Sequence, residues 1–134
     1  MKLEMKPKNI LLVDDDEDDQ TLFVDALNQI DNSFRCDVAN SGQEAMLSLR
    51  TKAPTPDIIF LDLNMPKMNG YECLAEIKSE AKFKHIPVVI YSTVTMQSEN
   101  ERTQLMEAEH FFTKPNDFSV LVKELSSILQ TELK

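Results

Sequence analysis

Apolar residues along this chain alternate between short unbroken runs and helical stripes. The run Ile10-Leu11-Leu12-Val13 is β-branched at both ends and is followed at once by carboxylates, the pattern of a buried parallel strand at its C-terminal end. Leu22, Phe23, Ala26, Leu27 and Ile30 then recur with a 3.6-residue period, which predicts an amphipathic helix from about Glu17 to Ile30. The alternation continues with a strand over Phe34 to Ala39, a helix over Ser41 to Arg50, a fully apolar strand over Asp57 to Asp62 and a helix over Gly70 to Ala81. A third apolar strand covers Ile86 to Tyr91, a polar helix Gln97 to Glu107, a short strand His110 to Thr113 and a terminal helix Asp117 to Leu133. The last helix carries Phe118, Leu121, Val122, Leu125, Ile128 and Leu129 on one side.

Five strand–helix units of this kind predict a doubly wound α/β fold, a parallel sheet with helices on both faces, because right-handed crossovers place the helices there. The breakers agree: Pro54 and Pro56 precede one strand, Pro66 and Gly70 follow it, Pro87 opens another and Pro115 ends the last. No solenoid-length repeat, low-complexity tract or linker interrupts the pattern, so residues 1–134 read as one domain with its core over about 8–130 and frayed ends.

Composition narrows the function. A hydrophobic fraction of 42% with 28% charged residues supports a packed core. Fourteen Lys and Arg against 23 Asp and Glu give a formal charge of -9, which repels nucleic-acid phosphates and anionic membrane surfaces. The apolar runs are too short to span a membrane and Met1 to Lys8 lacks a signal-peptide core, so the expected location is the cytoplasm, with neither nucleic acid nor membrane as a partner. Cys36 and Cys73 are too far apart for a CxxC motif and read as small apolar fillers. His85 and His110 have no second ligand at zinc spacing.

In open α/β sheets ligands bind beyond the C-terminal ends of the strands. Asp14 and Asp15 end the first strand, Asp62 the third, Ser92 the fourth and Lys114 the fifth. Three carboxylates in one crevice repel each other unless a cation compensates, and an all-oxygen set favours a hard dication such as Mg²⁺. Asp16, Glu17, Asp18 and Asp19 read as solvated carboxylates favoured by a helix N-terminus. An EF-hand beginning at Asp14 fails, because Asp19 stands where Gly is required and Asp25 where a bidentate Glu is required.

These residues resemble the receiver domain of two-component response regulators over nearly the whole chain. Ile10 to Asp15 resembles the family's first strand with its acidic pair, and Ile59 to Pro66 followed by Asn69-Gly70 resembles its phosphorylation segment. Ile86 to Ser92 and Phe112-Thr113-Lys114-Pro115 resemble the two remaining signature stretches. The resemblance implies a five-stranded sheet of flavodoxin-like order 2-1-3-4-5 and no room for an output domain. It implies that Asp62 is the phosphoacceptor and that Asp15, Asp62 and the backbone carbonyl of Asn64 coordinate Mg²⁺, assisted by Asp14. Lys114 and the Ser92 hydroxyl would contact the phosphoryl oxygens. Phe111 stands where the family often has an aromatic ring that swings inward, a buried aromatic that never moves being the alternative. Lys114-Pro115 would be a cis peptide.

On this resemblance the protein is a signalling switch and no enzyme in the ordinary sense. Its phosphoryl group would come from a sensor histidine kinase or phosphotransfer protein, a downstream protein would read the outcome, and the chain itself would be a monomer or weak dimer. Two other functions fit the residues less well. An aspartate-nucleophile phosphatase needs DxDx[TV] and a cap domain, and the chain offers only Asp-Asp-Asp-Glu-Asp over 14–18. A constitutive interaction module should have lost one of the acidic, hydroxyl or lysine residues, and all are present.

Departures from the family concern the periphery. Glu107, Ala108 and Glu109 occupy the place of a common Gly-Ala pair before the fifth strand, so that turn forms without glycine. Over 97–107 apolar residues are sparse, and Ser98 with Glu101 offers a capping box, so this helix is expected to be labile and to be remodelled by phosphorylation together with the last strand and helix.

Overall fold

The structure is a computed structural model and describes residues 8–63, 70–93 and 108–133. Five strands, β1 (Asn9–Val13), β2 (Arg35–Ala39), β3 (Ile58–Leu61), β4 (Val88–Ser92) and β5 (His110–Thr113), form one parallel sheet in the order β2-β1-β3-β4-β5. Four helices are described: α1 (Glu17–Ile30), α2 (Gly42–Thr51), α3 (Gly70–Ser79) and α4 (Phe118–Glu132). The expected helix over 97–107, with its capping box, lies outside the described residues, as does Asn64.

Alternate residues of β1, β3 and β4 feed two cores. Leu11, Val13, Ile59, Leu61, Val88 and Ile90 face Ala45, Met46, Leu49, Leu74 and Ile77 of α2 and α3. Ile10, Leu12, Ile58, Phe60, Val89 and Tyr91 face Phe23, Leu27, Leu121, Leu125 and Leu129 of α1 and α4. Central strands buried on both faces have no polar side to show, which is why β1 and β3 read as unbroken apolar runs.

Element limits move by a few residues for identifiable reasons. The Ile86 N–H bonds the Phe83 carbonyl at 3.0 Å and Pro87 has no N–H, so the β4 ladder begins at Val88. Asp57 precedes β3 and ties it to β1 through its side chain, which accepts from the Asn9 N–H at 2.8 Å. The approach to β5 is anchored by Glu109, whose carboxylate accepts from the Val88 N–H at 2.8 Å and from Lys78 Nζ at 2.9 Å. Helix starts carry side-chain caps: Asp16 accepts from the Asp19 N–H, Ser41 from Glu44 and Asp117 from Ser119. A cis peptide occurs at Ala53-Pro54; Lys114-Pro115, expected to be cis, is trans, an isomer that differs by less than about 1 kcal/mol for an X-Pro bond.

Gly70 is required by space. A Cβ there would lie 2.5 Å from the Leu63 Cα and closer still to the Asp62 carbonyl oxygen, both backbone atoms. Helix α3 therefore starts in direct contact with the main chain that carries Asp62, tied to it by the Gly70 N–H donating to the Leu63 carbonyl at 3.1 Å. Gly70→Ala is expected to lower unfolding free energy by about 2 to 3 kcal/mol, read as a lower midpoint in urea at unchanged slope.

Candidate functional site: an acidic crevice closed by a lysine

The crevice forms along the edge of the sheet where β1, β3, β4 and β5 end. Backbone bonds fix it: the Asp14 N–H donates to the Ala39 carbonyl at 3.0 Å, the Asp62 N–H to the Val13 carbonyl at 2.9 Å, and the Lys114 N–H to the Ser92 carbonyl at 3.1 Å. Asp14 is fully buried, Asp62 nearly so and Asp15 exposed, and one carboxylate oxygen from each lies within 4.8 Å of the others. Lys114 Nζ donates to Asp14 Oδ2 at 2.7 Å, Asp19 Oδ2 at 2.8 Å and Asp62 Oδ2 at 3.3 Å. Ser92 closes β4, is buried, and stands opposite Thr113 in the sheet.

Burial is the main influence on Asp14 and raises its pKa, with the bonds from Lys114 and the Asp16 N–H pulling the other way. For Lys114 burial favours the neutral amine, but the hydrogen bonds to Asp14 and Asp19 and the charge of Asp62 outweigh it, so the pKa is raised and the ammonium persists. Its Nζ also sits 5.2 Å from the centroid of the Tyr91 ring. The Tyr91 hydroxyl is pushed up by the same burial, and both cysteine thiols rise to about 12, as inert fillers should.

Asp14, Asp15, Asp62, Ser92 and Lys114 thus gather as the sequence predicts. Two partners of the lysine are additions. Asp19, read as a solvated helix-start residue, turns its carboxylate inward from the first turn of α1 to the lysine, and its residue type gave no signal of that. Tyr91, read only as a strand residue, supplies the ring beneath the ammonium. Phe111 stands apart. It is 49% exposed, while its neighbour Phe112 is buried against Tyr91 with ring centroids 5.1 Å apart. The alternative of a buried Phe111 fails because β5 turns residue 112, not 111, toward the α1–α4 core. Phe111 instead borders an open groove of about 370 Å³ with Thr113, Glu124, Ser127 and Ile128.

The residues present fit a divalent cation: three carboxylates offer converging hard oxygens, and counting Asp19 the crevice holds four carboxylates and one ammonium, a surplus of negative charge. The family model for the response regulator receiver domain matches residues 10–126. The chain belongs to that family. Receiver domains are phosphorylation-activated signalling switches of two-component systems, and they work with histidine kinases or phosphotransfer proteins. Among its relatives, response regulator Rcp1 of the cyanobacterium Synechocystis is 32% identical over 127 residues, covering 91% of this chain and 86% of Rcp1. The crystal structure of the phosphorylated cyanobacterial phytochrome response regulator RcpA superposes with a TM-score of 0.85 at 34% identity, covering 96% of each chain. The Mn²⁺-bound form of Rcp1 gives 0.80 at 32% identity, again over 96% of each. None of this receiver domain's described helices is long and apolar enough to cross a membrane.

Proposed function

We propose that Asp62 is the phosphoacceptor of this receiver domain, and that Asp14, Asp15 and Asp62, with the carbonyl of Asn64, hold Mg²⁺ for the transfer. The observation that carries this reading is the ammonium of Lys114, which reaches both Asp14 and Asp62 across the ends of three strands. A carboxylate oxygen of Asp62 attacks phosphorus while the bond from phosphorus to the donor imidazole breaks, its electron pair staying on the nitrogen, and an acyl phosphate results. Such transfers depend on position and charge neutralisation. When bound, Mg²⁺ would neutralise charge developing on the phosphoryl oxygens. Lys114, the longest of whose three carboxylate bonds is to Asp62, supplies a second positive charge by turning to a phosphoryl oxygen. The Ser92 hydroxyl, at the end of the adjoining strand, donates to another.

The phosphorylated form then binds or releases a downstream protein, so the domain acts as a cytoplasmic relay and turns over no external substrate. Incubation with Mg²⁺ and acetyl phosphate is expected to add the mass of one phosphoryl group, and chelation of the metal is expected to prevent it. A protein that gains no mass with donor and metal together would overturn the assignment.

A further inference from the structure

We propose that Asp19 is a positioning residue for Lys114, holding the ammonium in the crevice and opposing its transfer to a phosphoryl group on Asp62. The proposal rests on the assignment of Asp62 above. Lys114 Nζ has three protons to donate, and its three hydrogen-bonded carboxylates are Asp14, Asp19 and Asp62, with Asp19 at 2.8 Å closer than Asp62 at 3.3 Å. The Lys114 side chain is 8% exposed, so the ammonium has little water to replace a lost partner.

Asp19 is itself held in place. Its N–H bonds the Asp16 cap at 3.0 Å, and the Asp16 N–H bonds Asp14 Oδ1 at 3.0 Å. Gln20 pins the same turn by donating to the Asp14 carbonyl at 2.6 Å and to Asn40 Oδ1 at 2.8 Å. The bonds from Asp14 through Asp16 and Asp19 to Lys114 and back to Asp14 close a ring joining the ends of β1 and β5 to the first turn of α1. A phosphoryl group arriving at Asp62 must draw Lys114 toward itself against the charge of Asp19. Asp19 therefore weakens the bound state of an anion on Asp62, while standing outside the group of three carboxylates able to share a metal.

The test is titration of the native domain with beryllium trifluoride, an anionic phosphoryl analogue, in saturating Mg²⁺. Asp19→Asn, which keeps an acceptor oxygen but removes the charge, is expected to bind about fivefold tighter, with the affinity for Mg²⁺ alone changing less than twofold. Asp19→Glu, which keeps a carboxylate within reach of Nζ, is expected to return the affinity to within about twofold of native. Asp18→Asn removes the same charge one residue away on an exposed position and is expected to leave it unchanged. Unchanged or weaker binding by Asp19→Asn overturns the proposal, as does an equal gain in Asp18→Asn, which would make the effect one of bulk charge. If the native domain binds no beryllium trifluoride, the assignment of Asp62 falls and this proposal with it; binding by native protein with no response at position 19 removes this proposal alone.

Discussion

Asparagine at position 62 is expected to leave a folded domain that takes up no phosphoryl group from any donor. The substitution preserves shape and one acceptor oxygen, so the buried site still packs and Lys114 keeps a partner there. What it removes is the anionic nucleophile, and a neutral amide forms no acyl phosphate. Loss of the charge also relieves repulsion on Asp14, whose carboxyl Asp62 helps to raise, so stability in urea is expected to stay within about 1 kcal/mol of native. Divalent-cation affinity should fall about tenfold or more, because one of three clustered carboxylates no longer carries charge. Mass spectrometry reads the first effect and calorimetric titration the last. Retained phosphorylation in this variant would move the acceptor to another carboxylate.

Lys114→Met is expected to destabilise the metal-free domain by about 3 to 5 kcal/mol at neutral pH, since it deletes one side of a buried ion pair and leaves Asp14 charged and unpaired at 0% exposure. The loss depends on pH. Burial already raises the Asp14 pKa above 3.8 with the ammonium present, and without it the folded-state value rises further. The folded variant then binds more protons than the unfolded chain, so its stability climbs as pH falls through the folded pKa toward the unfolded one. The native lysine shows linkage of the same sign at higher pH. Its folded pKa is raised above 10.5, so its contribution is complete below that value and is lost as pH rises through the folded one. Millimolar Mg²⁺ should return part of the variant's stability by binding the folded state only. Urea melts at two pH values, with and without Mg²⁺, check all of this; a variant as stable as native in metal-free buffer at neutral pH contradicts it.

Much of the fold is legible in the sequence because the central strands are buried on both faces. Ile10 to Val13 and Ile58 to Leu61 admit no polar residue, so their limits stand out against flanking carboxylates and prolines. The site is legible for a related reason, since parallel strands deliver their C-terminal ends to one edge and the residue after each run is found by counting. The inward turn of Asp19 lacked any such marker. An acidic residue in the first helical turn is favourable wherever it points, so its type carries no information about its partner, and only the approach of β5 one hundred residues later in the bond to Asp14 shows where the ammonium lies. Phe111 and Phe112 are chemically equal in a four-residue edge strand, and which of them is buried depends on register: Phe112 pairs with Tyr91 and Phe111 with Ile90. The trans geometry of Lys114-Pro115 is likewise beyond sequence pattern, since both isomers lie close in energy.

The contact of Gly70 with the main chain of Asp62 and Leu63 gives the site one stiff wall and one compliant one. No side chain lies between the start of α3 and that backbone, so the peptide bearing Asp62 cannot retreat toward α3 when its charge changes. The opposite wall is Lys114, held in the crevice through rotatable bonds to carboxylates on other elements. Among the described residues, a new charge at Asp62 therefore finds relief on the side away from α3, through the lysine into β5, and that direction is favoured by a missing methyl group.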